Sequence, residues 1–211
     1  MSGRYDAVLF DVLTALLDSW TLWNTVAGSE NAGRSWRAAY LKLTYGTGTY
    51  RPYETLVREA AEIAGFSPTL ADELERRWDE LAPWDNATAT LKQLEGRVKL
   101  GVVTNCSDRL GRRAADCVGV HFDIVVTSER AGFYKPDPRP YRMALDELGV
   151  APERTLFVAG SAYDLFGASA IGLDTYWHNR VGLAPPDSAP PARWHERTLA
   201  ALPAISLVSI S

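Results

Sequence analysis

Apolar residues fall in two rhythms along the chain. Short, nearly continuous runs occur in "YDAVLFDVLTALLDS" (5–19), "RVKLGVVT" (97–104), "FDIVVTS" (122–128), "RTLFVAG" (154–160) and "DTYWHN" (174–179). Their length and their β-branched and aromatic content predict strands buried on both faces of a parallel sheet. Between them the spacing changes to three and four. Tyr141, Ala144, Leu145 and Leu148 line one face of a predicted helix with Pro140 near its start and Gly149 at its end. Leu165, Ala168 and Ile171 form a second such face, closed by Gly172. Strand and helix alternating at this interval is the pattern of a doubly wound α/β sheet.

The rhythm breaks between the first strand and "RVKLGVVT", where about eighty residues show helical patterns and no strand. Leu56, Ala60 and Ile63 share one face and end at Gly65, and Leu70, Leu74, Trp78 and Leu81 form the next stripe after Pro68. These spacings predict a helical cap over residues 16–85, inserted into a Rossmann-like core of residues 1–15 and 86–211. Such an insert would lie over the carboxyl ends of the strands, where open α/β sheets place ligands. The Pro-rich "GLAPPDSAPPAR" (182–193) predicts an extended surface loop, and "WHERTLAALPAISLV" a short helix returning over the sheet.

Composition narrows the function. The 211 residues are 46% hydrophobic and carry a formal net charge of -4, with Lys and Arg scattered, so no basic footprint for nucleic acid or an anionic membrane is present. Cys106 and Cys117 stand without a CxxC or nearby His, which predicts free thiols in a reducing compartment and no zinc site. Arg4, Asp6 and Asp11 interrupt the first apolar stretch, and no run approaches a membrane span. A soluble cytoplasmic protein is the expectation. Trp20, Trp23 and Trp36 are expected in the core of the cap, with a subunit interface as the alternative.

Polar groups recur at or just beyond the predicted strand ends: Asp11, Thr104 with Asn105, Lys135, and Ser161 with Asp164. In a parallel sheet these ends share one edge, so residues remote in sequence converge there. Each alone has a local explanation as a turn cap or a solvated charge. Their coincidence on one edge points to a site.

With these residues in view, the chain resembles the haloacid dehalogenase superfamily, and within it the L-2-haloacid dehalogenases. The resemblance rests on "LFDVLTALLDS", "LGVVTNCSD", "YKPDPRPY" and "LFVAGSAYD", in order, and on "SWRAAYLKLTY", which is similar to the start of the family's cap. It implies a HAD-type Rossmann-like core with a helical cap, and a metal-independent hydrolase without cofactor. The expected substrate is a short 2-halocarboxylate, with Asp11 as nucleophile. Lys135, Asp164, Ser161 and Thr14 are implied as catalytic partners. Arg37, Thr104, Asn105 and Tyr141 are implied around the substrate, with Leu13, Leu41, Tyr53 and Tyr163 as an apolar wall. Lys135 would keep Asp11 ionised, and Arg37 offers a planar fork to a carboxylate or halide.

Phosphatases of the superfamily carry an Asp two residues after the nucleophile and commonly a second Mg-binding Asp in the last motif. This chain has Leu13 and Gly160 at those positions. It also departs from the dehalogenase pattern, with Ala15 for Thr, Ala159 for Ser and Ser161 for Asn. The alternatives left open are opening of a strained ring such as an epoxide beside a carboxylate, Mg-dependent phosphoryl transfer, and a non-catalytic binding protein. A homodimer is also left open.

Overall fold

The computed structural model describes residues 4–207. Its elements in chain order begin with strand β1 (Ala7–Phe10) and helices α1 (Ser19–Ala27), α2 (Glu30–Thr47), α3 (Tyr53–Ile63), α4 (Thr69–Arg76) and α5 (Ala87–Lys92). Then come β2 (Lys99–Thr104), α6 (Asp108–Cys117), β3 (Ile124–Thr127), α7 (Ser128–Ala131) and α8 (Pro138–Leu148). The chain closes with β4 (Thr155–Ala159), α9 (Asp164–Ala170), β5 (Asp174–His178), β6 (Trp194–Glu196) and α10 (Leu202–Leu207). The six strands form one parallel sheet in the order β3-β2-β1-β4-β5-β6.

Alternation along the strands divides the core in two. Val8, Phe10, Val102, Val158 and Tyr176 pack on one face, while Ala7, Leu9, Val103, Phe157 and Trp177 pack on the other. All four residues of β1 are buried. This is why its sequence reads as a continuous apolar run. β1 lies between β2 and β4, with Phe10 opposite both Val102 and Val158. The ends of three strands therefore frame Asp11.

Helices α1 to α4 occupy the interval in which no strand was expected. Asp18 caps α1 by accepting from the Thr21 amide, and Ser29 caps α2 by accepting from Ala32. The two helices meet closely at Gly33, where an added Cβ would lie 2.6 Å from the Asn24 Cα. Trp23 and Trp36 are buried against each other at this hairpin, ring centroids 4.6 Å apart, as expected of cap-core residues. Trp20 differs: it is half-buried and lies beside Arg37.

Where the chain enters and leaves the helical segment it pairs with itself. The Asp18 amide donates to the Ala82 carbonyl (2.8 Å) and the Trp84 amide to Leu16 (2.9 Å), around an antiparallel bridge of Leu17 with Pro83. The Trp84 indole also donates to the Thr14 carbonyl (3.0 Å). A second tie joins the α2–α3 linker to the loop before Lys135. There Tyr50 donates to Gly132 and Tyr134 to Gly48, both at 2.8 Å.

Two expectations need correction. The stripe Leu70 to Leu81 is not one helix, because α4 ends at Arg76 and Trp78–Glu80 tightens into a 3-10 turn, a common helix ending. The segment from Trp194 is not simply a helix: Trp194–Glu196 adds a parallel edge strand, with Tyr176 opposite Trp194, before α10 begins. Residue Val208, at the end of the predicted tail helix, lies outside the described residues. The loop 182–193 has no regular structure, as its prolines predict.

Candidate active site

Asp11 begins the loop after β1, and this loop folds back on the carboxylate. The Thr14 amide (2.9 Å) and the Thr14 hydroxyl (2.6 Å) both donate to Asp11 Oδ2. Lys135 Nζ reaches Oδ1 at 3.0 Å and Asp164 Oδ1 at 2.9 Å, all three side chains being buried. One ammonium thus bridges two carboxylates that lie 153 positions apart in the chain.

Burial alone would push Asp11 up, but the Lys135 charge and the two Thr14 donors outweigh it and hold the carboxyl below its ordinary 3.8. Burial would likewise push Lys135 down, and the two carboxylates reverse that. Asp164 goes the other way. Burial and the Asp11 charge together exceed the help from Lys135, and its carboxyl is pushed up to about 6. The two acids are therefore differentiated by environment, one held as the anion and the other able to exchange a proton near neutrality.

Above this array Arg37 projects from α2. It is buried, its Nη1 has no hydrogen-bond partner among the described residues, and its guanidinium stacks on Trp20 at 4.2 Å and faces Trp23 at 5.4 Å. A buried cation without an anion is costly, and proteins usually pair it. Here the space beside it is a cavity of about 50 Å³ shared with Asp11 and Lys135.

Of the residues expected at a site, Asp11, Leu13, Thr14, Arg37, Leu41, Asn105, Lys135, Ser161 and Asp164 line this cavity. Four do not. Thr104 is buried, its hydroxyl without a partner among the described residues. Tyr53 is buried among Tyr40 and Trp78. Tyr141 supports the floor from behind, donating to the Asp164 carbonyl (3.2 Å) and packing edge-on against Phe157. Tyr163 is 39% exposed at the rim and stacks on Tyr45.

Asn105 carries a structural load as well. Its amide oxygen accepts from the Lys135 amide (2.7 Å) and from Ser128 (2.9 Å), and its nitrogen donates to the Lys135 carbonyl (3.0 Å). It therefore fixes the loop that delivers Lys135.

The cavity also includes Trp20, Tyr40, Tyr45, Gly160 and Leu183, which sequence reasoning did not select. For two of them a signal was present: Tyr40 and Tyr45 follow Arg37 and Leu41 along one face of α2 at helical spacing. Tyr40 donates to the Asn105 carbonyl (3.0 Å), which ties the helix to a strand end.

Gly160 bears on metal binding. A Cβ there would fall 2.2 Å from Thr14 Oγ1 and 2.3 Å from the Ala15 amide nitrogen, so no acidic side chain fits without moving the loop after β1. Both remaining acids are already bound to Lys135, and among the described residues no group of three or more His, Cys, Asp or Glu is gathered. A hard dication seeks about six oxygen ligands. These residues do not fit one.

Comparison with known proteins identifies a family and a shared fold. The sequence model of the haloacid dehalogenase-like hydrolases matches residues 5–172. The chain is 28% identical to (S)-2-haloacid dehalogenase 1 of Pseudomonas sp. (strain CBS-3), over 95% of this chain and 96% of that protein. It is 38% identical to a phosphoserine phosphatase of Thermus thermophilus over 66% of this chain and 60% of that protein. The fold matches that of the L-2-haloacid dehalogenase of Xanthobacter autotrophicus with a TM-score of 0.84, at 21% identity, covering 95% of this chain and 98% of that one.

Proposed function

Because this chain belongs to the haloacid dehalogenase-like hydrolases, we propose that it opens the carbon-halogen bond of a short L-2-haloalkanoic acid, without a metal, and yields the D-2-hydroxy acid. The observation that carries this reading is the buried Arg37, its Nη1 without a hydrogen-bond partner among the described residues, sharing a small cavity with Asp11. That pairing suits a substrate with a carboxylate at one end and an electrophilic carbon beside it. The (S)-2-haloacid dehalogenase relatives support the same class.

Arg37 receives the substrate carboxylate, which brings C2 over Asp11. Oδ2 already accepts two hydrogen bonds from Thr14 while Oδ1 accepts one from Lys135, so Oδ1 keeps a lone pair for in-line attack. The new bond is Oδ1–C2. The C2–halogen bond breaks with its electron pair, and halide departs toward the pocket side lined by Arg37 and Asn105. This ester is a covalent intermediate.

Water then attacks the Asp11 carboxyl carbon, not C2. Its proton passes to Asp164, whose raised affinity for protons suits a base near neutrality. The oxyanion forming on Oδ2 meets two donors already in place, the Thr14 amide and hydroxyl. Collapse releases the alkoxide, which takes the proton from Asp164, and leaves Asp11 as the acid. Its remaining proton, the second of the attacking water, is lost to solvent and restores the carboxylate beside Lys135 and Thr14. Since only the first step occurs at C2, configuration there inverts.

In this scheme residues 16–85 serve as a cap that brings Arg37 to a core of residues 1–15 and 86–211. Thr14 does from its own position what the family's Thr, replaced by Ala15, would do one residue later. The phosphatase relative shares much of the chain's length, but Leu13 and the lack of room at Gly160 remove the acid and the ligand that phosphoryl transfer of this kind requires.

Incubation with each enantiomer of 2-chloropropionate and with chloroacetate, in the presence of a chelator, tests the proposal. Chloride release from the (S) enantiomer and from chloroacetate is expected, with D-lactate as the product of the former. No chloride from any of the three would overturn it.

A further inference from the structure

The active-site cavity has an outer neighbour. A second cavity of about 330 Å³ opens beside it, bounded by Asp18, Asn24, Arg34 and Val181, and the two cavities share only Trp20 and Leu183. These two apolar side chains therefore stand between the small inner space and the larger outer one. Trp20 is held by the Arg37 guanidinium stacked on its ring.

Leu183 lies in the Pro-rich loop, where a free side chain would be expected, yet its backbone is gripped at both polar groups. The buried Asn179 side chain accepts from the Leu183 amide (2.8 Å) and donates to the Leu183 carbonyl (2.9 Å). Asn179 is fixed in turn. Its amide donates to the Glu196 carbonyl (2.8 Å), and its side-chain nitrogen meets His195 Nε2 at 3.1 Å, on a ring stacked 4.2 Å from Trp177. The edge strand β6 thus anchors a loop residue at the mouth of the site.

We propose that Leu183, together with Trp20, is the partition that sets the length of acid the site accepts, and that Asn179 is the positioning residue that holds it there. The inference rests on the reading above only in taking the inner cavity as a carboxylate site at Arg37. A cavity of about 50 Å³ holds few heavy atoms. A longer C2 substituent can continue between Trp20 and Leu183 into the outer space. Filling or crowding of one methylene in an apolar pocket changes discrimination by about tenfold or more.

The test uses unreactive propionate and hexanoate, with dissociation constants from calorimetric titration, beside chloride release from 2-chloropropionate and 2-chlorohexanoate. The unaltered protein is expected to prefer the short acids. Leu183→Ala should move the hexanoate-to-propionate affinity ratio about tenfold toward hexanoate. Asn179→Ala should shift it in the same direction, with partial rescue in Asn179→Asp, which keeps the acceptor for the Leu183 amide. Val181→Ala, which borders only the outer cavity, should leave the ratio unchanged.

An unchanged ratio in Leu183→Ala, or an equal shift in Val181→Ala, overturns the partition. If no chloride is released but the ratio moves, the dehalogenase reading fails and the partition stands. If chloride is released and the ratio does not move, the partition alone falls. Absence of any carboxylate binding defeats both.

Discussion

Lys135 serves two acids at once, and the consequence differs for each. Asp11 is held below its ordinary value, so its favourable contribution to the fold is present above about pH 4 and fades as pH falls through its lowered value. Asp164, pushed up to about 6, binds its proton more tightly folded than unfolded, so its contribution is greatest in acid and is lost as pH rises through 6. The proposed hydrolysis of the ester requires its anion. The pH profile of kcat should therefore rise through an acid limb where Asp164 loses its proton, and Asp164→Asn should remove the limb and lower kcat by about 10²-fold or more. A limb persisting unchanged in that variant would assign it to another group. Arg37 gives a prediction of opposite sign for stability and function. Arg37→Met replaces a buried unpaired charge with an apolar chain of similar size, and urea unfolding should show a gain of about 1–4 kcal/mol while chloride release is lost. Asp11, Arg37, Lys135 and Asp164 were legible in the sequence because each sits in a motif next to a strand end or a cap segment. Thr104 lies outside the cavity lining for a geometric reason: successive strand residues point to opposite faces, and Asn105 lines the cavity where its neighbour does not.

Among elements, the β4-to-α9 turn is the most constrained. Gly160 allows the β1 loop to pass so closely that Thr14 can hold Asp11, and the same closeness leaves no room for an acid. Gly160→Ala should destabilise the fold by about 1–3 kcal/mol in equilibrium unfolding. It should also lower activity beyond that loss by displacing Thr14; full activity at unchanged stability would contradict the contact. The sequence showed the glycine but not the loop against it, because the approach joins residues far apart in the chain. Along helix α2, Arg37, Leu41 and Tyr45 recur every four residues on one face, a spacing that sequence reasoning did not use. Strand β6 was not readable: three residues of mixed polarity, two of them exposed, are too few to display alternation. It is recognised by its partner, β5, and by Trp194 packing edge-on against Tyr5.

At the scale of the molecule, the parallel sheet and the long helical interval were evident from periodicity because both faces of the sheet are buried and its strands read as apolar runs. What periodicity could not give is closure of the two parts on each other. That depends on Trp84 reaching Thr14, Tyr40 reaching Asn105, and Tyr134 donating to Arg51 at 2.7 Å. Among the described residues no helix is long and apolar enough to cross a membrane. The closed arrangement leaves one small cavity in which a cation from the helical part faces a carboxylate from the sheet, and the proposed chemistry follows from that meeting. Its central claim is that Asp11 becomes esterified and that water attacks its carboxyl carbon. The most direct measurement is a single turnover of (S)-2-chloropropionate in oxygen-18 water with enzyme in excess, followed by mass analysis of lactate and of the peptide containing Asp11. The heavy oxygen is predicted in Asp11, with the lactate unlabelled at C2. Label in the lactate hydroxyl and none in the Asp11 peptide would mean that water attacks C2 directly, and would contradict the account.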